Sequence, residues 1–518
     1  MNANTKHIYL KTSFDKMMTL RTRKISRDGQ KSVLHTAGIA AAVLLLLAIF
    51  IGSGAAVEMV SDTAWYAPNQ NTYTINTAEE LAGLAAIVNG DAEGIAADSF
   101  EGKTVLLGSD IEINPVEKIK ANANTLKVWV PLGDSVDTMF KGTFDGQGHV
   151  ITGLYGVTNG LIYYGEDCTV KDVTITDSSL VTDNYLASMV CGAALGDCTF
   201  TNCHVKNSVI ESNSKSTGDI GAIAGEVVRG TLTGCTVSDT DVICRNCDYT
   251  GGLVGYIDDV TSFTDCKVKN VIVVCAKSGV GGIAGYAFTD VSFTGCAAES
   301  SYIQTVYDNY AGGILGFGGA EVSLNGCTVS DSVVKAYKHS VGGVVGYAYH
   351  ADFNGKATVV KDTIVNAEAE EYVGGFVGSA NKPVTVSAAG CAVTNAAISG
   401  AIETTSENMG VIIGRGKMAG ISKKVTVTNT ILANKANPAQ TDKDSFNQAG
   451  TAGNENGWII SMNNPETVDG VMYGTSEKNF DVPLFESDLT TKSTESPFPV
   501  LAVLAGLGAA AVFIRRRS

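Results

Sequence analysis

The chain has 518 residues, 58 of them glycine and 9 proline, and a formal charge of −16 from 53 acidic and 37 basic side chains. Charged residues make up 17% and the mean hydropathy is +0.13, too apolar for a disordered tail, and the glycines lack the strict third-position period of a collagen. With no long basic run in the body, nucleic acid is not an expected partner, because the phosphate backbone would be repelled.

Residues 1–58 read as a basic leader and a signal peptide or signal anchor. Lys6, Lys11, Lys16, Arg21, Arg23, Lys24, Arg27, Lys31 and His35 precede an apolar run from Ala37 to Val57, broken by Gly52-Ser53-Gly54. Positive flank, apolar core and small residues fit an export signal cleaved near Ser53 to Ala56, and the run is also just long enough to be retained as a span.

Residues 73–159 are expected to form an N-terminal cap and the first strands. Thr77, followed three residues later by Glu80, is a capping box, and Leu81, Leu84, Ala85 and Val88 make one apolar helical face. The predicted helix would cover the open end of whatever follows. Beyond it, Phe100–Ile113, Trp129–Gly133 and Phe140–Leu154 read as strands joined by glycine turns.

Residues 160–433 carry a repeat. Gly-Gly-x-x-Gly begins at Gly251, Gly281, Gly312, Gly342 and Gly374, at intervals of 30, 31, 30 and 32, with weaker copies at Ser188–Gly192, Gly221–Gly225 and Gly410–Gly414. Such a period belongs to a solenoid, whose units cannot bury an apolar face alone and must stack. The glycines predict tight corners or a close approach of successive coils, where a Cβ would clash.

About twelve residues into each unit comes a second phrase, ending at Cys203, Cys235, Cys266, Cys296, Cys327 and Cys391. Val205, Val237, Val268 and Val329 follow two positions after four of these, which is strand alternation. Val360–Val365 places Thr363 where a seventh cysteine is missing. Neighbouring strands lie about 4.8 Å apart, so these thiols would form a buried ladder; a line of identical residues suits neither the converging ligands of a metal site nor the Cβ directions of a disulfide. Cys244-Arg-Asn-Cys247 reads as a local disulfide or plain packing. Tyr256, Tyr286, Phe317 and Tyr347 recur at the same spacing, as a packed ladder or as a stacking platform for sugars.

Residues 434–489 read as a C-terminal cap or variable region, and 490–518 as a spacer and membrane anchor. Thr490–Ser496 leads through Pro497-Phe-Pro499 to an apolar stretch, Val500–Ile514, closed by Arg515, Arg516 and Arg517. The arginines would hold the tail on the inner face, making the membrane a partner through a C-terminal helix and the location a cell surface with an extracellular body. The tail also resembles the sorting signals of archaeal surface proteins, with Pro-Phe-Pro where those carry Pro-Gly-Phe.

Chemistry is sparse. Asp258-Asp259 reads as a solvated turn, and Arg229, Arg245 and Arg415 occupy unrelated repeat positions. Asp145 and His149, four apart, lie in a glycine-rich turn; His204, His339 and His350 have no metal-ligand spacing. No catalytic, cofactor-binding or metal residue is assigned, and no cofactor is expected.

The Phe140–Leu154 run, the Trp129–Gly133 lead-in and the Gly-Gly-x-x-Gly units together resemble the GLUG-repeat proteins of bacterial and archaeal cell surfaces, over about Tyr73 to Thr430. The resemblance implies an all-β, right-handed parallel β-helix of the pectin-lyase-like class and an adhesin-like role in binding a glycan, a host protein or a neighbouring cell. A polysaccharide lyase or hydrolase on that fold, or a passive envelope component, are the alternatives.

Overall fold

The computed structural model describes Val57 and residues 59–400 apart from 124, 368–371 and 395, then short pieces at 409–410, 412–416, 418–421, 425–428 and 431–434, and Ile460–Met462. The strands within it stack in parallel, Thr72 against Thr104 at the start and Val425 against Ile460 at the end. They form four sheets, with 17, 12, 10 and 8 strands among the described residues. The protein is an all-parallel β-solenoid with a short N-terminal helix, as the period requires.

One coil serves as the pattern. Tyr249–Gly251 belongs to the 8-stranded sheet, Val254–Ile257 and Thr261–Thr264 to the 17-stranded one, Lys267–Lys269 to the 12-stranded and Ile272–Cys275 to the 10-stranded. Corners between these strands use the left-handed region, filled by side chains that tolerate it: Asn202, Asp265 and Asp239 at φ near +50°, Gly234 and Gly295 near +65°. An Asn, Asp or Gly directly before a ladder cysteine is therefore a corner.

The glycine motif serves close approach. A Cβ on Gly281 would lie 1.9 Å from the Ala284 carbonyl oxygen, and one on Gly282 would lie 2.1 Å from the carbonyl oxygen of Gly313 in the next coil. Neither neighbour is a side chain that could swing aside.

Inside, columns of like residues stack rung on rung. Phe200, Leu232, Phe263, Phe293, Leu324 and Phe353 are register partners with exposures of 0–1%, and the Phe263 and Phe293 rings lie 4.9 Å apart at 17°. Each such side chain contributes about 1.5–3 kcal/mol by leaving water. The thiols of Cys203, Cys235, Cys266, Cys296, Cys327 and Cys391 are free and buried, and the Cys235 and Cys266 Sγ atoms lie 3.5 Å from carbonyl oxygens of the preceding coil. Cys244 and Cys247 are joined in a disulfide.

The seventh member of the cysteine column is Thr358, not Thr363. Thr328 pairs with Val359 and Val359 with Ala392, which sets Thr358 between Cys327 and Cys391; the Thr358 N–H donates to the Cys391 Sγ at 3.4 Å. Thr363 instead extends a second corner column, Ser178, Ser208, Thr240, Val271, Ser301, Ser332 and Thr363. There the Ser178 N–H donates to Ser208 Oγ, Ser208 N–H to Thr240 Oγ1, Val271 N–H to Ser301 Oγ and Ser301 N–H to Ser332 Oγ, all buried.

Helix Ala78–Asn89 starts at the predicted capping box, with Thr77 Oγ1 accepting from the Glu80 N–H at 3.1 Å and Glu80 accepting from the Thr77 N–H. Leu81, Leu84, Ala85 and Val88 are at most 2% exposed and belong to the main core. Such a cap stabilises a helix by about 1 kcal/mol.

The membrane reading is corrected. Among the described residues no helix is long and apolar enough to cross a membrane. Ala78–Asn89, with 12 residues, would span about 18 Å against a hydrocarbon core of about 30 Å. The expected transmembrane helix, the membrane as a partner through the C-terminal helix, and the membrane-anchored location accordingly have no support. The apolar stretches 37–56 and 500–514 lie outside the described residues, as do the leader and, apart from Asn434 and Ile460–Met462, the expected cap at 434–489.

Candidate functional site

A lateral face of the stack carries two aromatic columns. Tyr256, Tyr286, Phe317 and Tyr347 are register partners on the 17-stranded sheet. Their ring centroids are 5.5, 4.4 and 4.6 Å apart, with planes within 22°, 9° and 11° of parallel. Stacking this close occupies the ring faces and leaves edges outward, so the column itself is a packed ladder rather than a platform for sugars. Each contact contributes about 0.5–1.5 kcal/mol beyond burial.

The second column has no sequence signal of even spacing. Tyr249, Gly279, Tyr310, Ser340 and Tyr372 directly precede the register partners Thr250, Val280, Ala311, Val341 and Val373, so tyrosine stands at three of five rungs. Tyr249 lies 4.5 Å from Tyr286 and Tyr310 lies edge-on to Phe317 at 4.9 Å. Tyr310 and Tyr372 both adopt φ +68°, where Gly279 takes +81°. Holding a bulky residue there costs about 1–2 kcal/mol, a strain that marks a position where the side chain is kept for its own sake.

The two ends of the face differ. At the N-terminal end Asp219 pairs with Tyr249 and Glu226 with Tyr256, and the two acids are 0% and 3% exposed. Burial, followed by the charges of Asp258, Asp219 and Glu226, pushes the Tyr256 hydroxyl pKa far above its ordinary value, so it stays protonated. At the C-terminal end the aromatic column stops: Ser379 pairs with Tyr347, and Arg415 with Ser379. The Ser379 hydroxyl lies 2.7 Å from that of Ser340, which lies 2.9 Å from His339 Nδ1. His339 and Tyr372 rings are 5.2 Å apart, and the Arg415 guanidinium sits 4.6 Å over the Tyr372 ring.

The other residues singled out from sequence form scattered pairs rather than one cluster, with Arg229 Nη1 3.9 Å from Asp259. Asp145 pairs with Lys171 at 2.8 Å and His149 with Asp110 at 3.1 Å, so Asp145 and His149 are not partners. His204 meets Thr236 at 2.7 Å, and His350 meets Glu321. Asp259 accepts from the Val260 N–H in its own turn, and Arg229 pairs with Asp197 at 2.5 Å. Among the described residues no group of three or more His, Cys, Asp or Glu is placed to hold a metal ion.

The class that fold and face define is the parallel β-solenoid. No family model matches the chain, and no curated protein does. Among solved structures, the chain is similar to one described as a "putative immunoglobulin A1 protease" from Bacteroides ovatus, at 18% identity over 50% of this chain and 75% of that one, with a TM-score of 0.39.

Proposed function

We propose that the protein is an adhesin-like binding solenoid that presents a saccharide-recognising edge, with the stack as scaffold. The observation that carries this reading is the break in the ring column after Tyr347, where Ser379 replaces a ring and, one coil further, the exposed Arg415 lies over the Tyr372 ring. Between Tyr256 and Tyr347 each ring of the column meets the next. Saccharide sites combine aromatic rings with a few fixed polar groups, and this edge sets an exposed guanidinium on a ring. The GLUG-type resemblance supports the same role. A panel of immobilised glycans probed with the full chain tests it; ordered self-assembly with no glycan retained would support the passive structural role instead.

A second reading, a polysaccharide lyase or hydrolase, is favoured by the buried acids Asp219 and Glu226 standing beside the first tyrosines of both columns. Enzymes acting on glycosidic bonds use paired carboxylates as acid and base or nucleophile. Assaying the same panel for cleavage discriminates: shortened products lost in Glu226→Gln would establish it.

A further inference from the structure

We propose that Cys168 and Cys198 form an oxidisable dithiol, a modification site that takes a small disulfide as co-reactant and joins two neighbouring coils covalently. The inference is independent of the saccharide-binding reading.

Cys168, Cys191 and Cys198 are free thiols outside the main cysteine column, at 0%, 0% and 1% exposure. Thr169 pairs with Thr199, so Cys168 and Cys198 stand side by side on adjacent parallel rungs, and their Sγ atoms lie 3.5 Å apart. A rung spacing of about 4.8 Å falls inside the Cα separation of roughly 4.4–6.8 Å that a disulfide spans. Gly142, directly before Thr143, flanks the pair on one side and Gly230 on the other, so these two thiols share their column with no third.

A bulge sets the two sulfurs face to face. Glu166 pairs with Leu195 and Thr169 with Thr199, so Asp167 and Cys168 of one coil oppose Gly196, Asp197 and Cys198 of the next. Toward the following coil Ala194 pairs with Val227 and Asp197 with Arg229, so strand Cys191–Thr201 carries an extra residue on that side too. An extra residue of this kind re-aims the side chains beside it. The thiols of Cys203, Cys235, Cys266, Cys296 and Cys327, in the main column, donate to carbonyl oxygens of the preceding coil at 3.3–3.7 Å. Cys198 donates most closely within its own strand, to the Leu195 carbonyl oxygen at 3.2 Å, and its sulfur lone pairs are left to accept from Cys168.

The dithiol lies one residue beneath the surface. Asp167 and Asp197, which precede the two cysteines, are exposed, and the Asp197 N–H donates to Asp167 Oδ1 at 2.7 Å across the turn. The hydrogen bond with Cys198, followed by burial, holds the Cys168 thiol well above its ordinary pKa, so the closed turn keeps the pair reduced and its opening sets the rate. Once the turn opens, the Cys198 thiolate attacks one sulfur of the small disulfide and expels half of it as a thiol. Cys168 then attacks the Cys198 sulfur of the mixed disulfide and expels the other half. One S–S bond forms as another breaks, and two protons and two electrons pass from the cysteines to the co-reactant, which leaves as two thiols. A Cβ on Gly165 would lie 2.7 Å from Cys168 Sγ and 3.5 Å from Cys191 Sγ, so Cys191 borders the pair as the competing thiol.

The experiment exposes the full chain to oxidised glutathione at pH 8, in buffer and in urea just below the unfolding transition. Remaining thiols are blocked with N-ethylmaleimide, and the digest is mapped by mass spectrometry. A Cys168–Cys198 cross-link should appear, faster in urea, and be removed by dithiothreitol. Oxidation should raise the melting temperature of the wild type by roughly 5 °C more than that of Cys198→Ala. Cys235→Ala, in the main column, should still form the cross-link. Recovery of Cys168 and Cys198 as separately blocked peptides under both conditions overturns the proposal. A link from Cys191 to either of them in its place overturns it too, as does a Cys203–Cys235 link forming as readily.

Discussion

Arg245 donates from Nε and Nη2 to the two carboxylate oxygens of Glu211 in the preceding coil, at 2.6 and 3.1 Å, and the Glu211 side chain is only 4% exposed. A forked pair this enclosed satisfies the carboxylate but leaves it stranded if the arginine goes. Arg245→Met should therefore cost about 3–5 kcal/mol, and Glu211→Leu in the same chain should recover most of it. Chemical denaturation of the single and double variants measures the difference.

Gly282→Ala would put a methyl 2.1 Å from the Gly313 carbonyl oxygen, so two coils must separate or shift. The expected loss is about 1–3 kcal/mol, against under about 0.5 kcal/mol for Ser292→Ala on the outward face. Thermal melts of both variants check the contrast.

The ladder thiols should be inert while the stack is intact. Burial raises the Cys327 thiol, and the hydrogen bond with Cys266 followed by burial raises Cys296 well above its ordinary value, so at pH 8 almost no thiolate is present at either. Alkylation followed by mass spectrometry should label Cys296 and Cys327 only after denaturant is added. Cys296→Lys should admit protease to the neighbouring coils, because an unpaired charge would enter the core; Cys296→Ala should cost only about 1 kcal/mol.

Acid should weaken the fold through His204. Burial, then the Lys206 charge, lowers its pKa below the ordinary value near 6.5. The unfolded chain thus binds a proton before the folded one does. The stability is full above pH of about 6.5 and is lost as pH falls through the folded-state value. Midpoints of urea unfolding taken from pH 7.5 to 5 should fall, and His204→Gln should flatten that fall.

The period, the helix cap and the buried cysteines were legible because each depends on local spacing: Thr77 and Glu80 are three apart, and the cysteine-to-valine alternation spans three residues. Thr358 was not legible, because the coil holds two extra residues between Asn354 and Val359 relative to Asn325 and Thr328. Asp362, at φ +49°, then imitates the Asp265 that precedes Cys266, since two different corners use the same left-handed residue. The column of Tyr249, Tyr310 and Tyr372 escaped because Gly279 and Ser340 interrupt it, and Arg415 because its relation to Tyr347 is two coils long.

The hydroxyl column of Ser178, Ser208 and Thr240 runs in one direction: each backbone N–H is received by the side chain one coil later. A coil emerging during synthesis cannot finish this corner until roughly thirty more residues have followed it, so closure trails elongation by one turn. Val271 has no hydroxyl to receive the Thr240 N–H, and the relay restarts at Ser301. The stack accordingly has an internal seam there, and amide hydrogen exchange at Thr240 should outpace that at Ser178 and Ser208.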